Sequence, residues 1–323
     1  MNGGTTMIGD PTGDPKLRLD GVIPPLVTPL TEEGDVDARS LARLITYQLE
    51  AGCTGVFVLG SSGEGTSLSD DQRARVLDVA RTETAGAATL LAGTIEPSTN
   101  RVADLVRQAM KFSVDGLVIT APFYIPPHRN EIDRHFRRLA ELAGQTPVFG
   151  YDIPSRVSLK LDSELILELA ADGVLAGVKD SSGAELSLRL LVNGRRDRGL
   201  DGFSIMTGSE VTVDAAMQLG VDGAVPGLGN VDPAGYVRIL NLVAAGDLAG
   251  ARAEQDRLIT LFDIIKAGDR SRIGGASAAL GAFKAAVWLL GVIDCPRLAE
   301  PAIGLNDAEI AGIRGRMEAA GLL

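Results

Sequence analysis

Eight short apolar runs punctuate the chain from residue 22 onward. They are VIPPLVTPL (22–30), TGVFVLG (54–60), TLLAGTI (89–95), DGLVIT (115–120), PVFGYDIP (147–154), GVLAGVKD (173–180), FSIMTG (203–208) and DGAVPGLG (222–229). Between them lie segments such as DARSLARLITYQLEAG (37–52) and SDDQRARVLDVARTETAG (69–86), whose apolar residues recur at i, i+3 and i+4, the spacing of a helix with one buried face. Ser69 followed by Gln72 predicts a capping box at the start of the second helix, and Gly52 and Gly220 fall where helices end.

Continuous apolar strands alternating with amphipathic helices predict parallel pairing with both sheet faces covered. Eight such units between residues 22 and about 245 match a closed (β/α)8 TIM barrel in count and length. An open doubly wound sheet is the alternative, because periodicity does not report closure. Beyond residue 233 no strand pattern follows, and the segments ending in 276–292 and 306–320 predict a C-terminal helical extension. The expected organisation is therefore a disordered lead-in over residues 1–20, the barrel over 21–245 and a helical region over 246–323.

Composition narrows the function. With 45% hydrophobic and 23% charged residues the chain has an ordinary globular balance, and no apolar run is long enough to span a membrane. The N-terminal stretch MNGGTTMIGDPTGDPKLRLDG lacks the basic and apolar regions of a secretory signal, so a cytoplasmic protein is expected. A net charge of −11 without a Lys/Arg block argues against nucleic acid, and an anionic substrate would need a local cationic or N–H-rich site. Cys53 and Cys295 are too few for a disulfide framework or a thiolate metal site, and His128 and His135 too few for a His-rich zinc centre. No metal is expected.

In a barrel the C-terminal strand ends converge on one mouth. Lys179 ends strand 6, Tyr151 ends strand 5, GSSGEG (60–65) follows strand 2 and PFYIPP (122–127) follows strand 4. The glycine-serine turn offers successive N–H groups and two hydroxyls for a carboxylate or phosphate, or is a plain turn before a helix. Tyr151 is either a packed ring or a proton relay, and Arg156 either a bidentate carboxylate partner or a surface ion pair. A lysine beside Asp180 could be an exposed salt bridge. In a water-poor mouth, desolvation disfavours its ammonium, and a neutral amine attacks a ketone to form an imine, an electron sink for carbon–carbon chemistry.

The turn GSSGE (60–64), the strand end YDIP (151–154) and the segment GVKD (177–180) together resemble the dihydrodipicolinate synthase / N-acetylneuraminate lyase family of class I, pyruvate-dependent aldolases, in order and spacing, from about residue 20 to the C-terminus. The resemblance implies that Lys179 forms the imine with pyruvate and that Tyr151 is the central acid/base. It further implies that Ser61 passes protons to Tyr151, and that Ser62 with the Gly60–Gly63 turn holds the pyruvate carboxylate. Tyr124 matches a tyrosine that reaches into a neighbouring protomer's site, which implies a homotetramer built as a dimer of dimers. Arg156 matches the arginine near the second substrate's carboxylate, and Val225 the residue of strand 8 whose carbonyl faces the site. No cofactor is implied.

Several positions depart from that pattern. The usual threonine pair is Ser61-Ser62, the usual Asn after the tyrosine is Asp152, and strand 8 runs into VPGLGN. Positions expected to carry the Asn, Glu and Tyr of a lysine-feedback pocket are Pro97, Arg101 and Phe123. The leading expectation is a Schiff-base lyase or synthase joining pyruvate to an aldehyde, aspartate semialdehyde first. Its alternatives are a 2-keto-3-deoxy sugar acid or N-acetylneuraminate-type aldolase and, from another class, a catalytically silent ligand-binding barrel.

Overall fold

The computed structural model describes residues 17–323. Its strands are β1 (Gly21–Val22), β2 (Gly55–Val58), β3 (Thr89–Gly93), β4 (Gly116–Thr120), β5 (Val148–Asp152), β6 (Gly177–Asp180), β7 (Ser204–Thr207) and β8 (Gly223–Ala224). All neighbouring pairs are parallel, in the order β1-β8-β7-β6-β5-β4-β3-β2. Hydrogen bonds from the Phe57 N–H to the Pro24 carbonyl (3.0 Å) and from the Leu26 N–H to the Phe57 carbonyl (2.8 Å) join the two ends. The wall is a TIM barrel, and the open-sheet alternative is excluded.

Side chains alternate across that wall as a pleated strand requires. Phe57, Leu91, Val118, Phe149, Tyr151, Met206 and Val225 point inward and form one apolar cluster. Their chain neighbours Val56, Val58, Leu90, Leu117, Ile119 and Ile205 point outward into a second, larger cluster beneath the helices. Fully burying one such side chain is worth about 1.5–3 kcal/mol, so a strand shifted by one residue would forfeit both layers at once.

The covering helices are α1 (Ala38–Glu50), α2 (Asp70–Thr84), α3 (Thr99–Met110), α4 (Arg129–Ala143), the one-turn α5 (Pro154–Val157), α6 (Ser163–Ala171), α7 (Glu185–Asp197), α8 (Val213–Leu219) and α9 (Pro233–Ala244). The chain continues through α10 (Leu248–Phe262), α11 (Gly275–Leu289) and α12 (Asp307–Ala319). The capping box at Ser69 and Gln72 is present, and Gly52 and Gly220 adopt left-handed conformations after α1 and α8. His135, on α4, is a structural residue: one ring nitrogen lies 2.9 Å from Thr99 Oγ1, the other donates to the Thr120 carbonyl, and burial pushes its pKa down to about 4.

Two details differ from the periodicity. The run 22–30 yields only two residues of ladder, because Pro24 and Pro25 have no N–H to contribute; the wall there is continued by single bonds and an isolated bridge between Pro25 and Phe57. Of the expected lead-in, residues 1–16 lie outside the described residues. Leu19, just after them, is buried in the inner cluster, and its N–H donates to Ser204 Oγ at 2.8 Å. Among the described residues no helix is long and apolar enough to cross a membrane.

Candidate active site

Tyr151 and Lys179 are register partners on the adjacent strands β5 and β6, both on the inward face. Register alone therefore brings phenol and amine together. Lys179 is only 6% exposed, and its Nζ donates to the Tyr151 hydroxyl at 3.1 Å. The nitrogen also lies 4.3 Å from the Tyr151 ring centroid and 5.2 Å from that of Phe57, whose ring meets Tyr151 edge-on. Room for this long side chain comes from Gly208, where a Cβ would stand 3.1 Å from Lys179 Cε and collide with Ser181 Oγ. Among the described residues Lys179 forms no salt bridge. The exposed ion pair with Asp180 is thus not what the structure contains: Asp180, one residue on, points to the other side of the wall and accepts from the Ser182 N–H and hydroxyl.

The amine opens on a cavity of about 260 Å³ lined by Ser61, Ser62, Tyr151, Arg156, Val225 and Glu210, among others. Helix α11 closes it from above with Ala279, Leu280 and Phe283. A second chamber of about 450 Å³ adjoins it and shares Ser61, Ile153, Arg156 and Leu280.

The turn after β2 is held tightly. Leu59 and Glu64 adopt left-handed φ values of 59° and 54°. The kinked Leu59 carbonyl leaves no space beside it: a Cβ on Gly65 or Gly93 would lie 2.1 or 2.3 Å from its oxygen. Glu64 and Gly65 use their N–H groups inside the turn, on the carbonyls of Ser61 and Gly60, while Thr28 donates to the Gly63 carbonyl at 2.7 Å. The N–H groups of Ser61, Ser62 and Gly63 have no acceptor among the described residues, the arrangement an incoming carboxylate requires.

Comparison with known proteins then fixes the family. The sequence profile of the Dihydrodipicolinate synthetase family matches residues 18–308. The chain belongs to this family. A dihydrodipicolinate synthetase family barrel, it is 32% identical over 312 residues to an uncharacterised DapA-like lyase of Halobacterium salinarum, covering 97% of both chains. It is 28% identical over 250 residues to the 4-hydroxy-tetrahydrodipicolinate synthase of Methanothermobacter thermautotrophicus, covering 77% of this chain and 88% of that one. Among solved structures, the family member YagE of E. coli K12 in complex with pyruvate superposes with a TM-score of 0.86 at 25% identity, covering 94% of this chain and 99% of YagE. A monomeric dihydrodipicolinate synthase variant gives the same TM-score and identity.

Within this dihydrodipicolinate synthetase family lyase, most of the residues singled out from sequence meet at one mouth. Gly60 and Gly63 serve through backbone shape, a Cβ on the former striking the Phe57 ring. No hydrogen bond links Ser61 to Tyr151 among the described residues. Tyr124 does not join the cavity: it stands 92% exposed on the loop after β4 at a φ of 74°, beside the exposed Ile125.

Two features were not anticipated. Glu210, in the loop after β7, faces the cavity and accepts from the Gly227 N–H at 3.0 Å; burial raises its carboxyl above the ordinary value, opposed by that N–H and by the Lys179 charge. It lies two residues past a strand end already identified, so the barrel rule applied to strand 7 would have found it. Beneath the turn, Glu64 accepts the Ala299 N–H at 2.7 Å and meets Lys284 of α11 at 2.5 Å, with Lys284 fully buried and also bonded to the Arg297 carbonyl. Burial pushes the Lys284 ammonium's pKa down.

Proposed function

We propose that the protein is a pyruvate-dependent Schiff-base lyase or synthase, joining pyruvate to an aldehyde or cleaving the product. The observation that carries this reading is the Lys179 amine, buried in the barrel mouth and hydrogen-bonded at 3.1 Å to the Tyr151 phenol. The amine adds to the keto carbon and water leaves, giving an iminium. Loss of a methyl proton turns it into an enamine, a carbon nucleophile at neutral pH. The enamine carbon attacks the aldehyde, Tyr151 gives its proton to the new alkoxide, and water releases the product and restores the amine. Ser61, Ser62 and the free N–H groups of the turn hold the pyruvate carboxylate throughout, and the reaction uses no external cofactor.

The guanidinium of Arg156 at the cavity, without an ion-pair partner among the described residues, supports an aldehyde bearing its own carboxylate, with aspartate semialdehyde the first choice. Glu210 supports a second reading. A carboxylate on the cavity wall repels an acidic group but accepts from hydroxyls, as a sugar-acid-like aldehyde would offer. Purified protein given pyruvate and either aspartate semialdehyde or glyceraldehyde, with products identified by mass, separates the two. Condensation with aspartate semialdehyde is expected; condensation with glyceraldehyde alone would transfer the assignment to the sugar-acid class.

Assembly as a homotetramer is part of the proposal. Two separate apolar surfaces support it: Tyr124 and Ile125 after β4, and Leu186 and Leu190 on α7, all exposed in the isolated chain.

A further inference from the structure

Arg156 reaches the cavity from a loop, not from the barrel wall. After Asp152 the chain leaves β5, makes the single turn α5, passes Ser158 at a left-handed φ of 54° and returns to the wall at the buried Leu161. Within the loop, the Arg156 and Val157 N–H groups donate to the Ile153 carbonyl and the Ser158 N–H to that of Pro154. These bonds shape the turn but do not attach it. At its base one side chain holds both ends. Asp152 is 0% exposed and faces away from the cavity; its Oδ1 accepts the Leu161 N–H at 3.0 Å and its Oδ2 is ion-paired with Lys160. Lys160 also donates to the Leu161 carbonyl at 2.9 Å.

We propose that Asp152 and Lys160 form a clamp that positions Arg156, and so sets affinity for the second substrate without touching it. The local charge balance makes the clamp specific. Asp180, register partner of Asp152 on β6, is a second buried carboxylate; its Oδ1 is taken by Ser182, and its Oδ2 has no partner among the described residues. Burial raises the Asp152 carboxyl above its ordinary value and Asp180 adds to the rise, while Lys160 and the Leu161 N–H oppose it. Two buried carboxylates thus stand side by side, and among the described residues only Asp152 is paired with a cation. An amide at position 152 could still accept the Leu161 N–H, but Lys160 would keep only the Leu161 carbonyl, and the loop would lose one of the two bonds that Asp152 makes to it.

The substrate arm of this inference rests on the reading that Arg156 binds the aldehyde's carboxylate; the loop arm does not. Both are tested on full-length protein with pyruvate present, using Asp152→Asn, Lys160→Met and Arg156→Ala. Lys160 is partly exposed, so Lys160→Met keeps the test valid if Asp152→Asn folds poorly. Amide exchange over residues 153–160 is expected to quicken about tenfold in both clamp variants, with the barrel strands unchanged. With aspartate semialdehyde, each clamp variant should raise KM about tenfold, as one charge-assisted contact is worth, leaving kcat and the KM for pyruvate near wild type. The double variant should be no worse than the worse single. Arg156→Ala raising KM while the clamp variants do not would overturn the proposal, as would unchanged exchange. If Arg156→Ala leaves KM unchanged or no turnover is seen, the reading of the second substrate fails and exchange alone decides the clamp.

Discussion

Replacing Lys179 by methionine is expected to lower turnover by at least about four orders of magnitude, more than 5 kcal/mol of transition-state stabilisation, while the barrel stays as stable as before or becomes slightly more so. The two effects have one cause. The proposed mechanism passes every electron pair through the Lys179 nitrogen, and among the described residues no other lysine lines the cavity. The fold gains little from the same nitrogen. It is buried, makes a single hydrogen bond to Tyr151 and forms no ion pair among the described residues, so a methionine of similar length removes a desolvated amine and retains the packing against Phe57. Steady-state turnover and urea denaturation on the same preparation measure both. A large loss of stability would instead assign the lysine a structural role.

The second large effect runs the other way. Lys284→Met is expected to destabilise the protein by about 3–5 kcal/mol, because it strands the Glu64 carboxylate in a site it cannot leave. Glu64 is anchored on one side by the Ala299 N–H and held on the other by the strained turn, whose backbone is packed around Leu59. The double variant Glu64→Gln/Lys284→Met should recover much of the loss, since glutamine still accepts the Ala299 N–H without leaving a charge unpaired. Denaturant midpoints for the two single variants and the double check this as a cycle. Simple additivity would mean that the pair is not coupled.

The architecture was legible because each strand-helix unit carries its own local signals. The caps at Ser69, Gly52 and Gly220 and the eight apolar runs needed no long-range information. Lys179 and Tyr151 were legible for a related reason: a strand end in a parallel barrel has one destination, whatever its neighbours are. What could not be read was pairing across distance. Glu64 and Lys284 are joined only once α11 folds over the mouth, and no periodicity links a turn after β2 to a helix beyond the barrel. Asp152 registered as a departure from the family pattern, but its partner Lys160 emerges only when the loop doubles back. Pro24 and Pro25 were visible, yet the apolar pattern around them concealed how little ladder β1 would form.

The covalent role of Lys179 is the claim on which the functional account stands. Incubating the protein with pyruvate and borohydride, then measuring intact and peptide masses, tests it most directly. The account predicts one added pyruvic acid less one oxygen atom, localised to the peptide containing Lys179 and missing from Lys179→Met. An unmodified wild-type protein, or the same adduct on another lysine, would contradict it.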